Sequence, residues 1–181
     1  MKPDLTLVLV LLSLGACTSP ARAPAASAAP AANVAPATSN DALARLRADI
    51  DALLARPEHS APVVRVQHCL VGVEGLIPGV TRNAAEAEAL TAELYARIRA
   101  GADFDALVRE YTNDEHPGIF AMCLGASPAP DVYPREAMTL AFGDVAWRLA
   151  VGEVGVTRYD GERFDIEARS PFGFHLIKRL E

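Results

Sequence analysis

Between Thr18 and Asn40 the chain has almost nothing with which to build a core. This stretch holds ten alanines, four prolines and a single charge, Arg22. Proline removes backbone donors and stops helices, and alanine has little surface to bury, so the segment reads as a semi-extended tether. Whatever folds must therefore do so from about residue 40 onward, which leaves one domain of ordinary size in a chain of 181 residues. The apolar content of 51% overstates the available core, because so much of it is alanine in the tether.

Ahead of the tether, Met1-Lys2-Pro3-Asp4 leads into an apolar run from Leu5 to Leu14, interrupted only by Thr6 and Ser13. That run is about half the ~20 residues a membrane-spanning helix requires, and suits a signal segment. It ends Leu14-Gly15-Ala16-Cys17, which resembles the lipobox of bacterial lipoproteins. The resemblance implies that residues 1–16 are a signal peptide, that Cys17 becomes the acylated N-terminus, and that 17–40 is the tether. An ordinary secretory signal with an incidental cysteine is the alternative, and both export the chain. Acyl chains on Cys17 contribute ~0.8 kcal/mol per buried CH₂ and anchor a protein to a membrane without a spanning helix. Thr18 stands where an acidic residue would imply inner-membrane retention, so the resemblance to lipoprotein sorting points to the outer membrane. The expected location is the cell envelope, facing the periplasm.

The net charge is −6, from 17 Lys+Arg against 23 Asp+Glu, and the cations form no run. Phosphate backbones need clustered cations, so nucleic acid is not an expected partner. Three cysteines are too few for a disulfide scaffold. Cys69 and Cys123 are either two buried thiols or one bridge that export permits. His68, His116, His175 and the cysteines lack C-x-x-C or H-x-x-x-H spacing, so no metal and no cofactor are expected.

Order is expected from Asn40-Asp41, an N-cap with an acid in the first turn. Leu43, Leu46, Ile50 and Leu53 follow at 3, 4, 3 spacing and predict an amphipathic helix over 41–57, stopped by Pro57. Its seam either packs on its own domain or supports weak self-association through 41–56. The folded domain is expected over 62–181. Val63–Val73 reads as a strand whose residues Val64, Val66, His68 and Leu70 share a face. Thr81 or Asn83 caps a helix over 84–100, with Ala87, Leu90, Leu94 and Ile98 inward. Asp103 caps another, with Phe104, Leu107, Val108 and Tyr111 inward. A loop rich in glycine and proline follows, then a helical stretch over 135–149. Asp160-Gly161 signals a hairpin near 156–166, and residues 174–180 form the last strand. The order predicts an α+β domain with a small antiparallel sheet of about four strands surrounded by helices.

Four pieces in this order resemble the parvulin family of peptidyl-prolyl cis-trans isomerases, over residues 63–181. Val64-Arg-Val-Gln-His68-Cys-Leu-Val71 is similar to the family's first strand with its histidine. Ala100-Gly-Ala-Asp-Phe104-Asp-Ala-Leu-Val-Arg-Glu-Tyr-Thr112-Asn-Asp114 is similar to G-x-D-F-x-x-L-A-x-x-Y-S-x-D. Met138-Thr-Leu-Ala-Phe142 and Ala146-Trp-Arg-Leu-Ala-Val-Gly152-Glu153 resemble the pocket helix and its exit. Ser170-Pro-Phe-Gly-Phe-His175-Leu-Ile-Lys matches the closing T-P-F-G-Y-H-I-I-K and is the most specific piece.

The resemblance implies catalysis by His68 and His175, adjacent in the sheet floor and networked with Asp114 and the Ser170 hydroxyl. It implies a proline slot walled by Leu124, Met138 and Phe142, with Phe172 or Phe174 added. The implied partners are proline-containing polypeptide clients among exported proteins. Two departures stand out: the family's G-G-D-L-G is Ala121-Met-Cys123-Leu-Gly125, and the 156–166 hairpin is inserted before the last strand. They motivate an alternative, a non-catalytic chaperone or assembly lipoprotein on the same fold. Loop 72–79 carries no Lys or Arg, so selection for a phosphorylated residue before proline is not expected.

Overall fold

A computed structural model describes residues 39–161 and 169–181. Cys17, the signal run and the tether up to residue 38 lie outside those residues, as does most of the second half of the 156–166 hairpin; Ser39 and Asn40, expected in the tether, belong to α1. The chain order is α1 (Ser39–Leu54), β1 (Val63–Gly72), α2 (Ala84–Arg99), α3 (Phe104–Tyr111), β2 (Ile119–Cys123), β3 (Val132–Pro134), a 3₁₀ turn (Arg135–Ala137), α4 (Leu140–Ala146), β4 (Val154–Val156) and β5 (Gly173–Arg179).

The fold is α+β. Its sheet has five strands in the order β3-β2-β1-β5-β4 rather than four, and it is mixed, because β3 runs parallel to β2. The segment 119–123, expected as loop, pairs antiparallel with β1 from Val63 opposite Cys123 to Gln67 opposite Ile119. Pairing with a distant strand decided that structure, against the Pro117, Gly118 and Pro128 punctuation around it. β4 pairs with β5 directly, and 157–161 form no strand, so the described part of the insertion is not the first arm of a hairpin.

Strand periodicity divides the interior into two cores. Cys69 and Val71 of β1 and Val73 just after it, with Phe174 and Leu176 of β5, pack against α1, α2 and α3. Val64 and Val66, with Ile177, face the opposite way and pack against Phe142, Val145, Trp147 and Leu149. The capping logic holds: Asn83 and Glu86 form a reciprocal capping box on α2, and the Asp103 side chain accepts from Ala106 N–H on α3.

The stretch expected as one helix over 135–149 is broken. Met138 and Thr139 are extended between the 3₁₀ turn and α4. Met138 and Phe142 are therefore not neighbours on one helical face.

The seam of α1 is consumed by its own domain. Leu46, Ile50 and Leu53 are buried, Arg47 grips Glu88 of α2 at 2.7 and 2.6 Å, and Arg56 grips Glu153. This is the domain-packing alternative for the helix. Leu46→Ala deletes a side chain that is 1% exposed. It is expected to cost about 2–4 kcal/mol, read as a lower urea midpoint with an unchanged m-value.

Candidate active site

β1 and β5 pair antiparallel with His68 opposite Ile177 and Leu70 opposite His175. The two histidines are thus diagonal neighbours on one face, close enough for their rings to meet. Their Nδ1 atoms are 3.2 Å apart, and the rings stack with an interplanar angle of 17°. Two Nδ1 atoms at that distance share one proton, with one ring donating and the other accepting.

Asp114 sets the direction. Its Oδ2 lies 3.2 Å from His68 Nε2, a charge contact that lacks hydrogen-bond alignment. The carboxylate favours a proton on His68 Nε2. His68 Nδ1 then accepts from His175 Nδ1–H, and His175 Nε2 is left as a bare acceptor. Both rings are buried, and burial opposes an imidazolium. It pushes His175 down to about 3. His68 is also lowered by burial, with Asp114 pulling the other way.

The frame around His68 is tight. Asp114 is held by its own N–H donating to Thr112 Oγ1, which also accepts from Leu70 N–H of β1. His68 N–H donates to Gly118 O at 2.9 Å. Gly118 has φ +62, and a Cβ there would fall 2.7 Å from His68 O and 3.0 Å from the ring. Only glycine lets the chain pass so close.

Aromatic rings edge onto the pair. Phe142 lies 5.2 Å from the His68 ring and 5.5 Å from the His175 ring, and Phe120 lies 5.3 Å from His68. Tyr133 edges onto Phe120 in turn. Met138 and Phe120 are half-buried against the Phe142 core. Leu124 and Tyr133 are exposed, at 52% and 45%. The imidazoles lie beneath, His68 2% and His175 5% exposed.

Three sequence-derived assignments change. Ser170 touches neither ring: its hydroxyl donates to Gly173 O at 2.7 Å and lies 3.3 Å from Thr157 Oγ1. Thr157 Oγ1 accepts from His175 N–H, so Ser170 reaches His175 only through Thr157 and the backbone. Phe174 adjoins His175 in a strand, so it points to the other face, where it packs with Tyr159 in the helix-covered core. Phe172 is 37% exposed, and among the described residues no ring contact joins it to the imidazoles. Phe120 and Thr157 were missed. The alternation of Phe120, Met122 and Leu124 was the available signal for the first; Thr157 carried none beyond β-branching.

Cys69 and Cys123 are both free and buried. Cys123 stands opposite Val63, six positions along β1 from Cys69, or about 20 Å at strand rise. No bridge spans that distance. Burial raises the Cys69 thiol to about 12.

Among the described residues, the buried side-chain polar atoms without a hydrogen-bond partner are His68 Nε2, His175 Nε2 and Thr139 Oγ1. Two belong to the imidazole pair and the third adjoins Met138. Polar capacity that the fold does not use is concentrated at the imidazole pair and beside Met138. Among the same residues no cluster of His, Cys, Asp or Glu is arranged to hold a metal.

The pH dependence of stability follows from the neutral pair. Histidines held below their ordinary 6.5 stabilise fully above about pH 6.5, and that contribution is lost as pH falls toward the folded value. From pH 7 to about 5, above the range where carboxylates such as Glu58 begin to protonate, the protein is expected to lose up to about 4 kcal/mol in urea unfolding, about 2 of it from His175. His175→Asn should reduce that loss by about half; an unchanged loss would mean the pair is not the source.

The sequence model of the PPIC-type PPIase domain matches residues 52–181. Chaperone SurA of Chromohalobacter salexigens is 32% identical over 114 residues, which are 63% of this chain and 21% of that protein. Chaperone SurA of Albidiferax ferrireducens is 33% identical over 138 residues, 74% of this chain and 26% of the relative. The chain thus spans about a quarter of the length of these curated relatives. Among solved structures, the peptidyl-prolyl isomerase ESS1 from Candida albicans aligns with a TM-score of 0.46 and 18% identity, covering 76% of this chain and 74% of that one. With its matched region running from the end of α1 to the last residue and enclosing both histidines, the chain belongs to the PPIC-type PPIase domain family.

Proposed function

We propose that this protein is a peptidyl-prolyl cis-trans isomerase that acts on X-Pro bonds of exported polypeptides. The observation that carries the proposal is the buried, neutral His68–His175 pair beneath an apolar rim of Phe142, Met138 and Phe120. The planar amide resists rotation by about 18–20 kcal/mol because its C–N bond has double-bond character. Twisting breaks that conjugation and draws negative charge off the carbonyl oxygen. Surroundings that discourage charge therefore favour the twisted amide over both planar forms, which is the differential binding that catalysis requires. Burial has already imposed that condition on the imidazoles themselves. The apolar rim suits the pyrrolidine ring, and unpaired Nε2 atoms beside it suit an amide that changes partners as it turns. No bond is made or broken, so no cofactor is required.

The protein's place is part of the same reading. Cys17 in its lipobox-like setting anchors the domain through the 17–40 tether to the cell envelope, facing the periplasm, and Thr18 favours the outer membrane. A second reading, a chaperone that holds clients without isomerising them, is favoured by the two relatives named as chaperones and by exposed Leu124, Tyr133 and Leu140.

The purified protein is expected to accelerate cis-trans exchange of a proline-containing tetrapeptide. Met138→Ala should lower kcat/KM about tenfold, as loss of one apolar contact implies, and His68→Ala should lower it further. Suppression of client aggregation with no acceleration would replace the isomerase by the holding chaperone.

For the anchor, Cys17→Ser should move the protein from the membrane to the soluble fraction and abolish fatty-acid labelling. Labelling that survives the substitution would remove Cys17 from the account.

A further inference from the structure

We infer that Arg135 is a positioning residue that fixes the Met138–Phe142 segment, the apolar wall of the site; the inference rests on the isomerase reading above. That wall enters from β3, which pairs with β2, and ends at Phe142 in the core. Between them a 3₁₀ turn of three residues, two extended residues and a seven-residue helix carry it, and pieces this short do not persist on their own hydrogen bonds. Met138 N–H donates to Arg135 O at 3.1 Å, which ties the methionine to the turn.

The Arg135 side chain ties the turn to α4 and to a third segment as well. Its Nη1 and Nη2 donate to the two oxygens of Glu58 at 2.7 and 2.8 Å, and Nη2 also donates to Asp144 Oδ1 at 2.8 Å. The guanidinium lies over the Trp147 ring, 5.0 Å from its centroid. Gly143 makes room for it: a Cβ there would fall 2.7 Å from Arg135 Nε and 2.9 Å from Cγ. The side chain therefore runs back across α4 and clasps it from the turn, with Met138 and Phe142 between the two ends of the clasp.

Other groups complete the cluster. Arg148 Nη1 donates to Glu58 Oε1 at 2.8 Å and to Asp144 O at 2.7 Å, and Arg169 pairs with Asp144. Glu58 belongs to the link between α1 and β1, so the clasp fastens the wall to a separate segment. Arg135, Asp144 and Arg148 side chains are only 20–22% exposed, which shields the pairs from water more than surface ion pairs. A lysine could not take over, because a single ammonium cannot fork onto Glu58, reach Asp144 and lie flat on an indole. The histidines stand outside the clasp, since β1 and β5 hold them.

The expected signature is a split between binding and turnover. Arg135→Lys and Glu58→Gln should each raise KM for an Ala-Ala-Pro-Phe peptide about tenfold and leave kcat within about twofold, because the wall moves and the imidazole pair does not. Trp147 is the single tryptophan, so its fluorescence gives Kd for the same peptide without reference to turnover. Arg47→Lys, which alters an ion pair between α1 and α2, is the control and should leave both constants unchanged. Gly143→Ala keeps every charge and displaces the guanidinium; it should reproduce the KM rise even where Arg135→Lys folds poorly. Unchanged Kd and KM in Glu58→Gln and Gly143→Ala would overturn the assignment, as would an equal rise in the Arg47→Lys control. Wild-type protein that binds the peptide without accelerating its exchange would end the isomerase reading, and the Kd comparison would still decide the clasp. Wild-type protein that does not bind the peptide would end both.

Discussion

Strand β1 pairs with strand β5 over seven positions, from Val66 opposite Arg179 to Gly72 opposite Gly173, and this register decides what the molecule can do. It joins histidines separated by 107 positions in sequence. Side chains alternate along a strand, so a slip by one residue would turn His175 toward the helix-covered core and bring Phe174 up beside His68. The register is protected on both faces. Val71 and Leu176 are wholly buried on one side, Val66 and Ile177 on the other, and no slipped pairing satisfies both cores. Hydrophobic packing on both faces of the sheet thus fixes the geometry of the imidazole pair.

What the register brings together is costly to bury. Two imidazoles in an apolar setting can share one proton at their Nδ1 contact, but two Nε2 atoms remain without hydrogen-bond partners among the described residues. Asp114, with 44% of its side chain exposed, offers His68 a charge from the edge rather than a full bond. A fold selected for stability alone would place apolar side chains here, since unpaired buried polar groups cost about 1–3 kcal/mol each. The same burial favours the neutral form of both rings.

Legibility in the sequence followed the range of the interactions. The helices were readable because their caps and stripes are local: Asn83, Asp103 and the Leu46–Ile50–Leu53 seam act within a few residues. The pairing of His68 with His175 was expected only through resemblance, since no local pattern links residues that far apart. Where long-range pairing overrode local signals, the reading failed. Ile119–Cys123 sits among prolines and glycines yet forms a strand because β1 offers an edge, and with it Phe120 entered the site unannounced. Met138 and Phe142 fit a helical spacing of four, but the chain is extended between them. Phe174 was misplaced for want of strand parity: one residue from His175, it must face away. Ser170 stood at the right distance in sequence from His175, yet the hydroxyl that meets the backbone of His175 is that of Thr157, the residue just after β4.

The two faces of the sheet divide the work, and that division accounts for the placement of charge. On one face α1, α2 and α3 cover the strands, and the ion pairs Arg47–Glu88 and Arg99–Asp49 sit at the helix margins, exposed and individually weak. On the other face a single short helix, α4, closes a core around Trp147 beside the imidazoles, which are themselves buried. Seven residues bury little apolar surface, so the helix draws on charge as well: Glu58, Arg135, Asp144 and Arg148 form a cluster of partly shielded ion pairs against it. The concentration of such pairs at α4, rather than at the margins of α1 and α2, follows from how little of a short helix hydrophobic burial alone can hold.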